Sequence, residues 1–263
     1  MKNSTKQGTA LITGATSGIG YELSKLFAHD GYDLVLVARD RERLEKNAAE
    51  LRQRYGTNVI VLTGDLALPK TPAELYAELE QRSIAIDVLV NNAGFNVYGP
   101  FAGTELQKEL RMIQVNLISL TYLTKLMLPA MVKRGKGRIL NVGSTGSFVP
   151  GPLNAVYCAT KAYVLSFSDA IAEELAGTGV TVTTLCPGAT RTEFAQRAGM
   201  EQTNLFQGPL MDSATVALIG YRALLRGKRS VVAGFMNKLT MFSIKFAPRF
   251  LVAKITKKIM SSR

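Results

Sequence analysis

The chain has 263 residues, of which 47% are apolar and 20% are charged. This composition excludes a disordered or collagen-like chain, and one α/β domain of this length can hold a continuous core. We therefore expect residues 1–263 to form a single domain. The net charge of +12 comes without a recognised nucleic-acid motif, so we expect no nucleic-acid partner.

Cysteine usage and the start of the sequence bear on the cellular compartment. Cys158 and Cys186 have no metal-ligand spacing and no second pair to form a disulfide framework, so we expect a reducing compartment and no metal site. Residues 1–8 are polar, and no uncharged apolar run reaches the roughly 18 residues that a membrane span needs. The sequence therefore predicts a cytoplasmic protein without a signal peptide or a membrane span.

Short β-branched runs alternate with longer amphipathic segments along most of the chain. Strands are predicted at residues 9–13, 33–37, 59–63, 88–90, 138–142, 180–185 and 230–233. Helical segments between such strands imply right-handed crossovers and a parallel sheet that is covered on both faces. The pattern predicts a doubly wound α/β fold of about seven strands, with its ligand beyond the carboxyl ends of those strands.

A glycine-rich turn follows the first predicted strand and precedes an apolar helix pattern. It reads Thr13-Gly14-Ala15-Thr16-Ser17-Gly18-Ile19-Gly20. Glycines allow a tight turn and a close approach of backbone N–H groups to a pyrophosphate, whose charge the helix N-terminus then stabilises. The turn predicts a dinucleotide site.

The glycine spacing of this turn resembles that of the short-chain dehydrogenase/reductase family. Four further motifs occur in the order of that family: Asp65, Asn91-Asn92-Ala93-Gly94, Tyr157-x-x-x-Lys161 and Pro187-Gly188. The resemblance covers residues 8–233 and implies a single-domain Rossmann fold. It further implies that Asp65 and Leu66 lie at the adenine ring, Asn92 near the cofactor ribose and Thr192 at the nicotinamide carboxamide. The other implied cofactor contacts are Gly14, Thr16, Ser17, Gly18, Ile19, Gly20, Ala93, Gly94, Tyr157, Lys161, Pro187 and Gly188.

Cofactor preference is expected at the end of the second strand. NAD-binding relatives carry an acidic residue at the position of Ala38, where it binds the ribose 2′-hydroxyl. Here that carboxylate is missing, and Arg39 can offer a charge-assisted fork to a 2′-phosphate instead. The alternative is that Arg39 is a solvated residue paired with Asp40. We expect NADP(H).

Four residues are candidates for the chemistry of carbonyl reduction. Tyr157 and Lys161 are four apart on a presumed helix. A lysine ammonium beside the phenol, together with the positive nicotinamide ring of the oxidised cofactor, is expected to lower the pKa of the phenol. Ser144 follows a strand at the family's spacing from Tyr157 and is the expected carbonyl polariser, with Thr145 and Ser147 as weaker alternatives. Asn116 lies in a predicted helix at 105–133, where it either bonds the backbone or, as the resemblance implies, holds a water linked to the lysine.

The stretch 189–212 is rich in apolar residues without clear periodicity, which is typical of a mobile lid. It is expected to line an apolar pocket with residues from elsewhere, which favours a lipophilic carbonyl substrate. Arg191 and Arg197 are alternatives that would recognise a carboxylate or phosphate tail. The apolar candidates are Phe95, Val97, Tyr98, Phe148, Val149, Leu153, Phe194, Ala198, Met200, Leu205, Phe206, Leu210 and Met211.

The C-terminal region carries most of the excess positive charge, because no acidic residue follows Asp212. Helices are predicted at 235–246 and 250–260 on either side of Pro248, and the second is amphipathic. Residues 234–263 either dock peripherally on an anionic membrane, cover the sheet edge, or form a subunit contact in a homodimer or homotetramer. The basic residues are Arg222, Arg226, Lys228, Arg229, Lys238, Lys245, Arg249, Lys254, Lys257, Lys258 and Arg263.

The sequence thus predicts NADPH-dependent reduction of a ketone, aldehyde or 3-oxoacyl group to an alcohol, with Tyr157 as general acid. One alternative is oxidation in the opposite direction, as in alcohol or hydroxysteroid dehydrogenases. A remote alternative is a non-catalytic NADP-binding scaffold, which would be expected to lack at least one reacting group.

Overall fold

The computed structural model describes residues 7–262, and within them seven strands form one parallel sheet. The strand order is β3-β2-β1-β4-β5-β6-β9, and a separate short pair is formed by β7 and β8. The order reverses between β1 and β4, which places a crevice at the carboxyl ends of these two strands. The strands are β1 (Thr9–Thr13), β2 (Asp33–Ala38), β3 (Val59–Thr63), β4 (Val88–Asn91), β5 (Gly137–Val142), β6 (Val180–Cys186), β7 (Thr190–Arg191), β8 (Met211–Asp212) and β9 (Ser230–Val232).

Helices cover both faces of the sheet, because successive strand residues point to opposite sides. Ile12 of β1 packs in one core with α1, α2 and α8, whereas its neighbour Leu11 packs in a second core with α3, α5 and α6. The predicted doubly wound single-domain fold is therefore confirmed. The helices are α1 (Gly18–His29), α2 (Arg41–Tyr55), α3 (Thr71–Gln81), α4 (Leu106–Ile113), α5 (Leu120–Lys133), α6 (Ala155–Glu174), α7 (Phe194–Ala198), α8 (Ser213–Leu225), α9 (Phe235–Ser243) and α10 (Arg249–Met260).

The predicted continuous helix at 105–133 is wrong in its middle. A π-helical turn, Gln114–Ser119, separates α4 from α5. Two of its polar side chains bind backbone outside the helix: Asn116 bonds Phe95, and Ser119 donates to the Leu66 carbonyl at 2.7 Å. Through these bonds the π turn contacts the segments that follow β3 and β4.

Smaller differences occur at the ends of elements. Most strand bounds lie within one residue of the prediction, and the short β7 and β8 pair was not predicted. The predicted helix at 235–246 consists of α9 followed by a 3₁₀ turn, Ile244–Phe246. Of the basic C-terminal residues, Arg263 lies outside the described part of the chain.

One helical stretch, Leu106–Lys133, is long and apolar enough to cross a membrane by length and composition. This is weak evidence for a span, because the core helix of a globular fold passes the same test. Leu123, Met127 and Met131 of this stretch pack in the second core, against β-strand residues such as Leu89. The apolar character of the stretch therefore has a packing role in the fold.

Candidate active site

A large cleft lies at the carboxyl ends of the strands and encloses about 2340 Å³. Binding sites for drug-sized ligands commonly have about 300–1,000 Å³, so this cleft has room for a dinucleotide and a second molecule. All of the predicted catalytic and cofactor-binding residues line the cleft except Gly20 and Asn116, which lie behind its surface. The lining residues among them are Gly14, Thr16, Ser17, Gly18, Ile19, Arg39, Asp65, Leu66, Asn92, Ala93, Gly94, Ser144, Tyr157, Lys161, Pro187, Gly188 and Thr192.

The turn after β1 requires its glycines. Gly14 has φ +67°, and a Cβ there would lie 2.8 Å from Asn92 Nδ2. A Cβ on Gly20 would lie 2.4 Å from the Gly14 carbonyl oxygen, which excludes any larger residue. Asn92 Nδ2 in turn donates to the Thr13 and Gly14 carbonyls at 2.9 and 3.1 Å. The turn is thereby fixed against the end of β4, at the N-terminus of α1.

The end of β2 presents a cationic side chain to the cleft. Arg39 is exposed there and forms no ion pair within the described residues. Asp40, the expected alternative partner, caps α2 by accepting from the Arg43 N–H at 3.0 Å. The arrangement leaves the Arg39 guanidinium facing the cleft beside the small side chain of Ala38.

Helix α6 carries Tyr157 and Lys161 on the face toward the end of β5. Lys161 is 5% exposed, and its Nζ donates to the Val142 carbonyl at 2.8 Å. The same Nζ lies 5.8 Å from the centroid of the Tyr157 ring. Phe194, in the segment 189–212, also approaches this ring, with a centroid separation of 5.6 Å. The Tyr157 ring therefore contacts both the lysine and this segment.

The electrostatics of this pair differ from the sequence expectation. Burial raises the pKa of Tyr157, and the hydrogen bond from Ser144 offsets this only in part. Burial lowers the pKa of Lys161 to about 8. For the protein's own residues the pKa of the phenol is therefore shifted upward, because removal from water is the largest influence on it.

Ser144 and Ser147 have separate roles at the turn Thr145–Phe148. Ser144 lines the cleft beside Tyr157, and its Oγ also accepts from the Gly146 N–H at 3.0 Å. The Ser147 hydroxyl donates to the Lys161 carbonyl at 2.8 Å and is buried. Ser147 therefore holds α6 against the turn, whereas Ser144 and Thr145 face the cleft.

Asn116 is fully buried in the π turn and fixes the loop after β4. Its amide donates to the Phe95 carbonyl at 2.9 Å, and its Oδ1 accepts from the Phe95 N–H at 3.1 Å. A Cβ on Gly94 would lie 3.0 Å from Asn116 Oδ1 and 3.5 Å from Lys161 Nζ. The backbone-bonding role is thus present, and the glycine keeps the space between the amide and the lysine clear.

Arg43 and Glu193 line the cleft and form an ion pair that the sequence did not predict, because the two residues are 150 positions apart. Arg43 of α2 forms a two-pronged ion pair with Glu193, at 3.1 and 2.5 Å. This pair holds the pKa of Glu193 at about 2, chiefly through the hydrogen bond from Arg43. Glu193 also pairs with Arg197. The sequence feature that could have indicated this pair is the acidic residue directly after Thr192.

The pocket walls also differ from the expected list. The C-terminal helices line the cleft with Asn237, Met241, Ile244 and further residues. From the sequence, these helices were expected at a sheet edge, a subunit contact or a membrane. A Cβ on Gly188 would lie 2.4 Å from Asn237 Nδ2, so α9 sits directly on the loop after β6. Phe148, Leu153, Arg191, Leu210 and Met211 do not line the cleft.

A glycine turn, a Tyr/Lys pair and a serine on one crevice define a class of dinucleotide-dependent oxidoreductase. The family model described as short chain dehydrogenase matches residues 8–203. The chain therefore belongs to the short chain dehydrogenase family of oxidoreductases.

Two curated relatives and one solved structure illustrate the similarity. The ketoacyl reductase HetN of Nostoc sp. is 30% identical over 232 residues, which cover 88% of this chain and 76% of the relative. The very-long-chain 3-oxoacyl-CoA reductase of Laccaria bicolor is 38% identical over 186 residues, which cover 69% of this chain and 54% of the relative. A short-chain dehydrogenase from Sphingobium yanoikuyae, solved in complex with NADPH, is 34% identical with a TM-score of 0.81, covering 93% of this chain and 94% of that one.

The ion pair between Arg43 and Glu193 predicts a measurable effect on the segment after β7. We expect Glu193→Gln to raise backbone hydrogen exchange at 190–200 by up to about fivefold, because partly exposed ion pairs contribute about 0.2–1 kcal/mol. Glu201→Gln, an exposed change in the same segment, is the control. Equal exchange in both variants would show that the pair does not restrain the segment.

Proposed function

We propose that this chain is an NADPH-dependent carbonyl reductase that acts on a lipophilic ketone, aldehyde or 3-oxoacyl compound. The observation that carries the proposal is the convergence of Tyr157, Lys161 and Ser144 on one cleft with the glycine turn and Arg39. Each of these groups is required by a different part of the reaction, and all of them face the same space.

The residues around the turn fit an NADP-type dinucleotide. A pyrophosphate would be held by the N–H groups of the turn 14–20, at a helix N-terminus where glycines remove the Cβ atoms. Arg39, with no ion-pair partner in the described chain, would hold the 2′-phosphate, and Asp65, Leu66, Asn92 and Thr192 would contact the rest. When bound, NADPH supplies the hydride. The NADPH complex of the Sphingobium relative supports this choice.

The reacting side chains divide the remaining work. Tyr157 donates a proton to the carbonyl oxygen as negative charge develops there, and Ser144 polarises that oxygen with its hydroxyl. Burial raises the pKa of Tyr157, so the phenol is protonated at neutral pH, as a general acid must be. Lys161, held by Val142, supplies the replacement proton, with Asn116 positioning the loop behind it.

The cleft walls support a lipophilic substrate. Apolar side chains from the loop after β4, the lid and the C-terminal helices face the space beside Tyr157. Arg197, the cation that could have anchored a carboxylate tail, is paired with Glu193. The ketoacyl and very-long-chain 3-oxoacyl-CoA reductases among the relatives support an oxoacyl substrate. The apolar lining residues are Phe95, Val97, Tyr98, Val149, Phe194, Ala198, Met200, Leu205, Phe206, Met241 and Ile244.

The rest of the chain has supporting roles in this proposal. Residues 8–233 are the catalytic core, 189–212 form the substrate lid, and the C-terminal extension from 234 lies over the cleft as far as it is described, to residue 262. A homodimer or homotetramer is the proposed assembly, supported by exposed apolar side chains on α4 and the π turn, including Leu106, Leu110 and Ile118.

Alcohol oxidation is the second candidate direction. A phenol with a raised pKa disfavours it at neutral pH, because oxidation needs the phenolate as a base. A non-catalytic NADP-binding scaffold would not need a buried lysine beside a tyrosine, and all four candidate reacting groups are present in the chain.

Tyr157→Phe tests the general acid directly. We expect the variant to bind NADPH but to lose carbonyl reduction by about 10²–10⁴-fold, which is the usual contribution of a positioned proton donor. NADPH oxidation is followed against ketones of graded chain length, and binding by cofactor fluorescence. Undiminished turnover in the variant would remove Tyr157 from the mechanism and with it the proposed reaction.

Arg39→Ala tests the cofactor preference. We expect a loss of NADPH affinity of about 10–100-fold with little change for NADH, because a hydrogen bond to a charged group contributes about 1.5–3 kcal/mol. Arg41→Ala, on the first turn of α2 and outside the cleft lining, is the matched control. A parallel loss for NADH and NADPH would contradict the assignment of Arg39 to the 2′-phosphate.

The pKa of Lys161 predicts the pH dependence of reduction. Below about pH 8 the amine is protonated and can pass its proton on, and above it the amine is neutral, so kcat/KM should fall as pH rises through about 8. Circular dichroism over the same pH range separates this fall from unfolding. A profile that stays level to about pH 10 would contradict the role of Lys161 as proton source.

A further inference from the structure

The C-terminal helices present two opposite faces. Asn237, Met241 and Ile244 recur every three or four residues and line the cleft. On α10, Val252 and Thr256 are buried and line it too. One face of this helical pair is therefore a wall of the proposed substrate pocket.

The opposite face of α9 is apolar and open to solvent. Phe235, Leu239, Phe242 and Phe246 are spaced by four, three and four residues, so they form one stripe along the helix and the turn after it. They are 77%, 52%, 58% and 76% exposed, and Phe250 at the start of α10 is 67% exposed. A contiguous apolar surface of this kind marks a site of contact with another apolar phase. We call these five residues the outer stripe.

The charge around the outer stripe indicates which kind of apolar partner it contacts. Between residues 235 and 260 there are six basic and no acidic residues. Lys238 and Lys245, seven residues apart, flank the stripe on one side, and within residues 7–262 neither forms an ion pair. A second copy seated on this surface would bring like charges together, whereas an anionic lipid surface complements both the charge and the apolar side chains.

The pocket wall is tied to the lid by backbone hydrogen bonds. The Leu205 N–H donates to the Ile259 carbonyl at 3.0 Å, and the Asn204 N–H donates to the Ser261 carbonyl at 3.0 Å. Tyr98, on the loop after β4, donates its hydroxyl to the Met260 carbonyl at 2.6 Å. The end of α10 is therefore bonded both to the lid and to the loop on the far side of the cleft. A surface that contacts these helices would thus lie next to the pocket entrance.

We propose that α9 and α10 dock this protein on an anionic lipid bilayer, with the outer stripe in the boundary between headgroups and acyl chains. The pocket on the inner face of the same helices then takes its lipophilic carbonyl substrate from the bilayer. The substrate part rests on the proposed function, and the docking part does not.

Co-sedimentation of the full-length protein with vesicles tests the docking. One set of vesicles contains phosphatidylglycerol, and the other contains phosphatidylcholine alone. We expect at least about tenfold stronger partitioning to the anionic vesicles, weakened by added salt because the attraction is partly electrostatic. Equal partitioning to both kinds of vesicle, or no binding to either, would overturn the proposal.

Two sets of variants locate the contact. Phe242→Ser with Phe246→Ser should lower partitioning by about tenfold or more, and Lys238→Gln with Lys245→Gln by about fivefold for each lysine. The control for the phenylalanines is Leu68→Ser with Leu225→Ser, which are partly exposed apolar residues outside the cleft. The control for the lysines is Lys133→Gln with Lys136→Gln, at the opposite end of the sheet. Controls that lose as much binding as the test variants would overturn the assignment of this surface.

Two further readouts keep the outcomes distinguishable. None of the four test positions lines the cleft, so NADPH oxidation with a short water-soluble ketone should be unchanged in the variants, and thermal unfolding checks that they fold. If the unaltered protein does not oxidise NADPH with this ketone, the proposed reaction is refuted, while the docking result still stands. If the phenylalanine variants convert an oligomer to a monomer in sedimentation without vesicles, the stripe is a subunit interface and the docking proposal is wrong.

Discussion

The hydrogen bond from Lys161 Nζ to the Val142 carbonyl is the contact on which the site depends. It brings a buried ammonium to the end of β5 and so fixes where α6 meets the sheet. Ser147 secures the same junction by donating to the Lys161 carbonyl. Because α6 is locked here, Tyr157, one turn earlier, must face the crevice where the strand order reverses. An unpaired ammonium at this depth would be costly, so the contact stabilises the fold and the site together.

The same burial shifts the pKa of both Tyr157 and Lys161. Removal from water disfavours charge on either, so the pKa of the phenol rises and that of the amine falls to about 8. In the proposed reduction, the protonated phenol would serve as the proton donor and the lysine as the source of the replacement proton.

The sequence was sufficient for the features that depend on local pattern. Strand positions follow from β-branched runs, and the turn at 14–20 follows from its glycines, because Gly14 and Gly18 need positive φ. Features made by distant segments were missed. Arg43 and Glu193 meet across 150 positions, and Asn116 of the π turn bonds the backbone of Phe95, 21 positions away. The upward shift of the Tyr157 pKa likewise could not be predicted from the sequence, since burial is a property of the whole fold.

The C-terminal helices show why a pocket wall can also be an outer surface. A helix of the length of α9 has one face toward the cleft and one away from it. The cleft face mixes polar Asn237 and Thr240 with Met241, whereas the outer face is apolar. In water the outer face is unfavourable, since exposed phenylalanines order solvent without packing in return. A helix that only closed the pocket would be expected to carry polar residues there, as α2 does on its solvent face. The apolar outer face, the absence of acidic residues after Asp212 and the bonds from α10 to residues 204 and 205 are all accounted for by the proposed docking, in which the wall of the pocket would rest against a lipid surface.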